Sequence, residues 1–139
     1  MYELKIPKSR VACLIGKKGE TKRLIERSTK TRMKVYTEGD VEINGDGFSA
    51  YICEKIVRAV GRGFNPNIAI DLLKEDFGLE ILNIKDYTGN SKKKFYRIKS
   101  RLIGKEGKSR KVIEKIRGCH VCVFGKTVSI IGKFDKLNV

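Results

Sequence analysis

The sequence predicts an α+β fold built twice in succession, and three observations carry this prediction. They are an internal repeat, a short loop bounded by two glycines at the same place in each copy, and the apolar periodicity around those loops. The chain has 139 residues, which suffices for one ordinary domain or two very small ones. Two small modules fit the repeat better.

The repeat is found by sliding the chain along itself. Residues 14–35 match residues 102–123 without a gap at a spacing of 88, with eight identities that include both loop glycines and the glutamate at Glu26 and Glu114. After a shift of one residue, Val41 and Ile43 match Val128 and Ile130. The chain is therefore a tandem duplication.

Local patterns predict the same elements in both copies. The apolar spacing after each loop predicts an amphipathic helix, and alternating segments predict hairpins. We expect strands over 2–6, 32–36, 41–43, 79–84, 119–124 and 127–131, and helices over 48–60 and 67–76. Phe48, Tyr51 and Ile56 belong to the expected apolar side of the helix over 48–60, and Gly78 is expected to stop the helix that follows Pro66.

The expected order in each copy is strand, helix, helix, strand, strand, helix, with one three-stranded antiparallel sheet and the helices on one of its faces. We expect a first domain over 1–64, a bridging helix over 65–77 and a second domain over 78–139. Only seven residues follow Gly132, so the second copy is expected to lack its last helix in this chain, which would then be truncated or incompletely resolved.

The charge of the chain points to a polyanionic partner. Lys and Arg number 31 against 16 acidic residues, a formal net charge of +15. Residues 5–34 hold 11 basic and 2 acidic side chains, and residues 92–117 hold 12 and 2, so we expect two separate basic faces. No apolar run reaches membrane-spanning length and the first residues lack a secretion signal, so we expect a cytoplasmic protein with no membrane partner.

The sequence offers little for catalysis. Its four cysteines, Cys13, Cys53, Cys119 and Cys122, are too few and too unevenly spaced for a disulfide scaffold, and His120 is its one histidine. We expect free thiols, no enzyme activity, no cofactor and no metal.

The two glycine loops, 16–19 and 104–107, are the candidate binding sites. A glycine at each corner permits positive φ and lets the backbone approach a ligand, while the helix that follows aims its N-terminal N–H groups at the same place. Phosphate is the fitting ligand. Lys17, Lys18 and Lys105 add positive charge, and Ile15 and Ile103 offer apolar surface to unstacked bases.

Four other features of the sequence allow competing interpretations. The segment 104–109 ends like a nucleotide-hydrolase phosphate loop, but Leu102 stands where that motif needs its first glycine. Cys119 and Cys122 have zinc-like spacing, but residues three apart on a strand face opposite ways and a second ligand pair is missing. The run 92–94 is either a solvated loop or a phosphate contact on the approach to Arg101. His120 is a packed residue or a hydrogen-bond donor to RNA at the groove edge.

In this setting the motifs I-G-K-K-G and I-G-K-E-G resemble those of the K-homology (KH) domain, here two tandem type I KH domains. The start IPKSRVACLIGKKGETKRLIE, the bridge FNPNIAIDLLKEDFGLEILNIKDY and the second loop IGKEGKSRKVIEKIRGCHVCVFGKTVSIIG are similar to the archaeal dual KH-domain ribosome-assembly and rRNA-processing factors of the partner of Nob-one, Krr-one-like family. Glu106 departs from the pattern, because it places a negative side chain inside the second loop.

The resemblance implies that the loops clamp single-stranded RNA while bases lie in an adjacent groove. It assigns RNA contact to Gly16, Lys17, Lys18, Gly19, Lys22 and Arg32 in the first copy and to Arg101, Gly104, Lys105, Glu106, Gly107, Lys108, Arg110 and Lys111 in the second. It further implies the 3′ region of small-subunit rRNA as ligand, with the endonuclease that matures this end and the alpha subunit of archaeal initiation factor two as partners. A general KH regulator of mRNA or of an RNA-degradation complex is the alternative.

Overall fold

The computed structural model describes residues 2–104, 111, 114 and 119–133. They form two units, the first ending at Glu75 and the second beginning at Asp76. Both units are α+β and each contains one three-stranded antiparallel sheet. The predicted fold class is confirmed.

The first unit has three strands and four helices, joined in part by short 3₁₀ turns. In chain order they are β1 (Tyr2–Lys5), α1 (Val11–Ile15), α2 (Glu20–Thr29), β2 (Arg32–Val35), β3 (Asp40–Asn44), α3 (Gly47–Gly61) and α4 (Pro66–Ala69). The strand order is β1-β3-β2. The strands lie within about two residues of their predicted bounds.

One face of this sheet is apolar, α2 and α3 pack on it, and α1 packs against both of these helices. Leu4 lies opposite Val41, and Met33 lies opposite Ile43, so the pleat brings their side chains to the same face. The largest fully buried apolar side chains come from the helices as well as the sheet and include Leu14, Ile25, Ile43, Ile56 and Val57. Burial of each such side chain contributes roughly 1.5–3 kcal/mol.

Helix α3 is capped by Asp46, whose carboxylate accepts a hydrogen bond of 2.8 Å from the backbone N–H of Ser49. This bond lowers the pKa of Asp46. The buried stripe of α3 runs through Ala50, Cys53 and Val57. The prediction that Phe48 and Tyr51 belong to the apolar side was wrong: they are 74% and 43% exposed. Phe48 and Tyr51 form a neighbouring i, i+3 stripe that faces solvent.

The helix predicted over 67–76 is much shorter. Asn65 caps α4 by accepting a hydrogen bond from Asn67 N–H, and α4 gives way to a 3₁₀ turn at Ile70–Leu73. Gly78 does not stop a helix. It lies inside the first strand of the second unit, opposite Gly132. Strand pairing in the sheet therefore outweighs the local preference on which the longer helix was predicted.

The second unit repeats the three-stranded sheet. Its elements are β4 (Phe77–Asn83), α5 (Lys85–Thr88), α6 (Lys92–Ile103), β5 (His120–Phe124) and β6 (Thr127–Lys133), in the strand order β4-β6-β5. The predicted hairpin through Gly125 and Lys126 is present. The run 92–94 is the first turn of α6, capped by Ser91, and not a loop.

In the described part of the second unit, a cavity lies between α6 and the sheet. It has a volume of about 290 Å³ and is lined by Leu82, Ile84, Tyr87, Ile98, Leu102, Val121, Val128 and Ile130. In the repeat, Leu102 and Ile130 correspond to Leu14 and Ile43, which are fully buried in the first unit, where α3 is present. The expected absence of a last helix concerns residues 134–139, which lie outside the described residues.

The core assignment predicts a strong contrast between two substitutions. Ile43→Ala should lower the free energy of unfolding by about 3 kcal/mol, because it leaves a cavity in a fully buried site. Phe48→Ala should change it by less than about 0.5 kcal/mol, because the ring lies on the surface. Urea unfolding of both variants measures the difference, and equal losses would contradict this placement of the core.

Candidate nucleic-acid interface

Gly16 makes the bend that begins the first loop. It ends α1 with φ 75° and ψ 177°, and its N–H donates to Ala12 O at 2.9 Å. A Cβ on Gly16 would overlap the side chain of Thr21 and lie 2.9 Å from its backbone nitrogen. Both the positive φ and the lack of space therefore require glycine here.

The rest of the loop is a tight turn with left-handed backbone. Lys18 has φ 54° and ψ 27°, and Gly19 has φ 75° and ψ 14°. The N–H of Gly19 donates to Gly16 O at 3.2 Å and closes the turn. Lys17 and Lys18 are both exposed. A left-handed conformation at a lysine costs roughly 1–2 kcal/mol, and here it goes with a turn that presents two ammonium groups to solvent.

The loop leads directly into the N-terminus of α2. In the part of the chain that the structure describes, no side chain caps this helix, whose N-cap is Gly19. The ten residues of α2 place the positive end of the helix dipole at the loop. Backbone N–H groups, the dipole and two lysines thus converge on one exposed place, which suits an anionic phosphate.

The other predicted residues of the first copy lie on the elements that flank this loop and α2. Ile15 is half-buried at the end of α1, and Arg32 is exposed at the start of β2. Lys22 lies on the first turn of α2, but its Nζ is 3.3 Å from Glu26 Oε1. An ion pair therefore reduces the charge that Lys22 offers to a ligand.

Sequence reasoning missed Arg10, which precedes α1. Its Nε donates to Val60 O at 2.9 Å and its Nη2 donates to Phe64 O at 3.0 Å. These bonds tie the start of α1 to the end of α3 and so position the helix that carries the loop. Nothing in the sequence separates Arg10 from the other basic residues around it.

Sequence reasoning also missed Glu26 as a functional residue. Its Oε2 accepts a hydrogen bond of 2.9 Å from the backbone N–H of Met33, so the carboxylate links α2 to β2. A signal was present, because Glu26 and Glu114 form one of the eight identities of the repeat.

Gly104 is the one residue of the second loop that the structure describes, and it has the backbone conformation of Gly16. Gly104 ends α6 with φ 70° and ψ 176°, and its N–H donates to Ser100 O at 2.8 Å. Arg101, Ile103 and Lys111 are exposed. The predicted contacts at Lys105, Glu106, Gly107, Lys108 and Arg110 lie outside the described residues.

The run 92–94 borders a second basic surface in this unit. A cavity of about 450 Å³ beside it is lined by Lys85, Gly89, Asn90, Ser91, Lys92, Phe95, Tyr96 and Lys126. Phe95 packs against the core of the second unit, whereas Tyr96 is 63% exposed. Phosphate contact by these lysines stays a prediction.

Cys119 is buried just before β5 and Cys122 is half-buried within it. Over residues 2–104, 111, 114 and 119–133, no group of three or more His, Cys, Asp or Glu side chains could hold a metal ion. The helices described here include none that is long and apolar enough to span a bilayer.

The chain contains two three-stranded sheets of this topology, and in each unit a glycine bend comes before the edge strand. This arrangement is that of a tandem KH-domain protein. Family models agree: residues 1–59 match the KH domain, and residues 78–139 match the eukaryotic-type KH domain (KH-domain type I), in the form of the second KH domain of PNO1. The chain belongs to the archaeal dual KH-domain ribosome-assembly family of Dim2p and PNO1, also called partner of Nob-one.

Relatives of known sequence and structure support this assignment. The KH domain-containing protein MJ0443 of Methanocaldococcus jannaschii is 43% identical over 141 residues, and the chain spans 98% of its own length but 62% of that relative. Dim2p from Pyrococcus horikoshii superimposes with a TM-score of 0.90 at 40% identity, over 99% of this chain and 83% of the other. The a/eIF2alpha-aDim2p-rRNA complex from the same organism gives 0.89 at 41%, over 99% and 78%.

Three glycine substitutions should separate the cost of steric overlap from the cost of positive φ. Gly16→Ala should lower the free energy of unfolding by more than Gly19→Ala, because the second site has positive φ but only the end of Arg23 nearby. We expect a loss of about 1–2 kcal/mol at Gly19. Gly47→Ala is the control, since its Cβ would meet nothing within 4 Å. Urea unfolding gives the order, and a larger loss at Gly19 would contradict it.

Proposed function

We propose that this chain is a non-catalytic RNA-binding adaptor of small ribosomal subunit biogenesis. It holds single-stranded rRNA near the 3′ end of the small-subunit rRNA and assists the processing of that end in the cytoplasm. The loops 16–19 and 104–107 clamp the ribose-phosphate backbone, and the domains divide as 1–64 and 78–139 around the bridge 65–77.

The geometry of the first loop is the observation that carries the proposal. Gly16 and Gly19 carry no side chains of their own at the bend, α2 aims its N-terminus at it, and Lys17 and Lys18 are exposed beside it. Such a site binds the backbone of a single strand without reading its sequence. The matching conformation of Gly104 supports a second clamp, to which Arg101 and Lys111 would add charge.

A solved relative supports two of the partners that we propose. That relative stands in a complex with a/eIF2alpha and rRNA, and we extend both partners to this chain. We further propose the endonuclease that matures the 3′ end of the rRNA as a partner, because a clamp on single-stranded RNA would present the strand for cleavage. No cofactor takes part in this function.

Reversing the charge of the first loop tests the clamp. Lys17→Asp with Lys18→Asp should weaken binding of short single-stranded RNA roughly tenfold or more and reduce the slope of log affinity against log salt by about 1.4, which is 0.7 for each lost phosphate contact. Fluorescence anisotropy over a salt series measures both.

Lys8→Asp with Lys74→Asp is the matched control. It changes the net charge equally, and both side chains lie on the surface in exposed ion pairs with Glu38 and Asp71, which contribute little to stability. Equal loss of RNA affinity in the two double variants would refute a clamp at the loop.

Ligand specificity tests the ribosomal role. The chain should bind the 3′ end strand of small-subunit rRNA more tightly than a shuffled strand of equal length. It should bind a duplex least, because paired and stacked bases cannot be splayed into a groove of the protein. Competition binding measures the order. Equal affinity for the two single strands would favour the general KH regulator instead.

A further inference from the structure

The outer edge of β2 faces away from the sheet and runs alongside α2. The strand order β1-β3-β2 places β2 at the edge. Tyr36 N–H donates to Asp40 O at 2.9 Å, and bonded pairs alternate along an antiparallel ladder. The main-chain groups of Met33 and Val35 therefore point outward, away from β3.

Glu26 reaches this edge from α2. Its Oε2 accepts from Met33 N–H at 2.9 Å, and its Oε1 lies 3.3 Å from Lys22 Nζ. The side chain is 19% exposed, so it can be reached from solvent. A carboxylate offers about four acceptor sites, and these two contacts leave acceptor capacity free at the seam between α2 and β2.

The seam continues from the glycine loop. Glu26 comes seven residues after Gly19, which is about 10 Å along the helix axis. A strand held by its backbone at the loop and running along α2 would bring base edges to this carboxylate. An acid in a segment with 11 basic and 2 acidic residues repels phosphate, so it does not serve affinity for the backbone.

The second unit repeats the arrangement. Glu114, the counterpart of Glu26, has its Oε2 3.7 Å from His120 Nδ1. His120 begins β5, which is the edge strand of its own sheet. In both copies the same glutamate thus faces the edge strand that follows it.

We infer that Glu26 is a specificity-determining residue of the first module and accepts a hydrogen bond from the exocyclic amino group of cytosine or adenine. Carboxylates read cytosine N4 in this way in nucleic-acid complexes. Uracil presents the acceptor O4 at the corresponding position. A carboxylate can only accept, so it cannot bond to O4 and uracil is rejected. This inference rests on the proposed function, because it needs an RNA strand in the groove.

A purely structural role for Glu26, as a tie between α2 and β2, makes a different prediction. Glu26→Gln keeps an oxygen that can accept from Met33 N–H, but it adds an amide donor that can bond to uracil O4. The structural role predicts that this variant keeps the base preference of the parent chain. The specificity role predicts that the preference disappears.

The experiment measures binding of short oligo(C), oligo(A) and oligo(U) RNAs to the parent chain, to Glu26→Gln and to Glu54→Gln. Glu54 is a matched control: it is also 19% exposed and pairs with Arg58 four residues on, but it lies on α3. The parent chain and Glu54→Gln should prefer C and A to U by about tenfold, and Glu26→Gln should lose that preference.

A change in the RNA gives a second measurement that does not depend on how the variant folds. Replacing the 4-amino group of cytosine by hydrogen should weaken binding to the parent chain about tenfold and leave binding to Glu26→Gln unchanged. An equal effect on both proteins would overturn the inference. A uniform gain of affinity for all bases in Glu26→Gln would also overturn it, because it would show that Glu26 only repels the strand.

The two proposals fail in distinguishable ways. If Lys17→Asp with Lys18→Asp leaves RNA binding intact, the clamp is wrong. If that variant loses binding but the parent chain does not distinguish C from U, the clamp stands and the role of Glu26 is wrong.

Discussion

The absence of a side chain at Gly16 is the constraint on which the first module depends. Helix α1 packs against α2, which follows it directly, so the chain between them has to reverse within a few residues. The Thr21 side chain fills the space that a Cβ at Gly16 would need. Because the bend is this tight, the loop and the start of α2 lie at the surface. A ligand can reach them there.

Two polar contacts hold the helices that flank this bend. Arg10 joins the start of α1 to main-chain carbonyls near the end of α3, and Glu26 joins α2 to the edge of β2. Hydrogen bonds to charged groups contribute about 1.5–3 kcal/mol each when partly shielded from water. Their effect here is on geometry, since each fixes the distance between a helix beside the loop and the element behind it.

The charges of the first loop and of the seam between α2 and β2 suit two different purposes. Lys17 and Lys18 are exposed and provide attraction that does not depend on sequence, as suits a contact with phosphate. Glu26 lies deeper and is partly balanced by Lys22, so it adds little to the field of the molecule but keeps acceptor capacity for a base. Under the two proposals, affinity belongs to the lysines of the loop and selectivity to a carboxylate on α2.

Much of this protein follows from its sequence alone. The repeat, the glycine loops and the apolar periodicity determined two α+β modules, the order of their strands and helices, and the bend at Gly16, because these depend on local conformational preferences and on burial of one face. Only the tertiary structure decided where the helix after Pro66 ends, which stripe of α3 is buried, and what Arg10 and Glu26 contact. Strand pairing drew Gly78 into a sheet, helix packing left Phe48 in solvent, and a hydrogen bond across the seam gave Glu26 its partner. Each of these outcomes depends on residues that are distant in the chain, and no local pattern records which of them will meet.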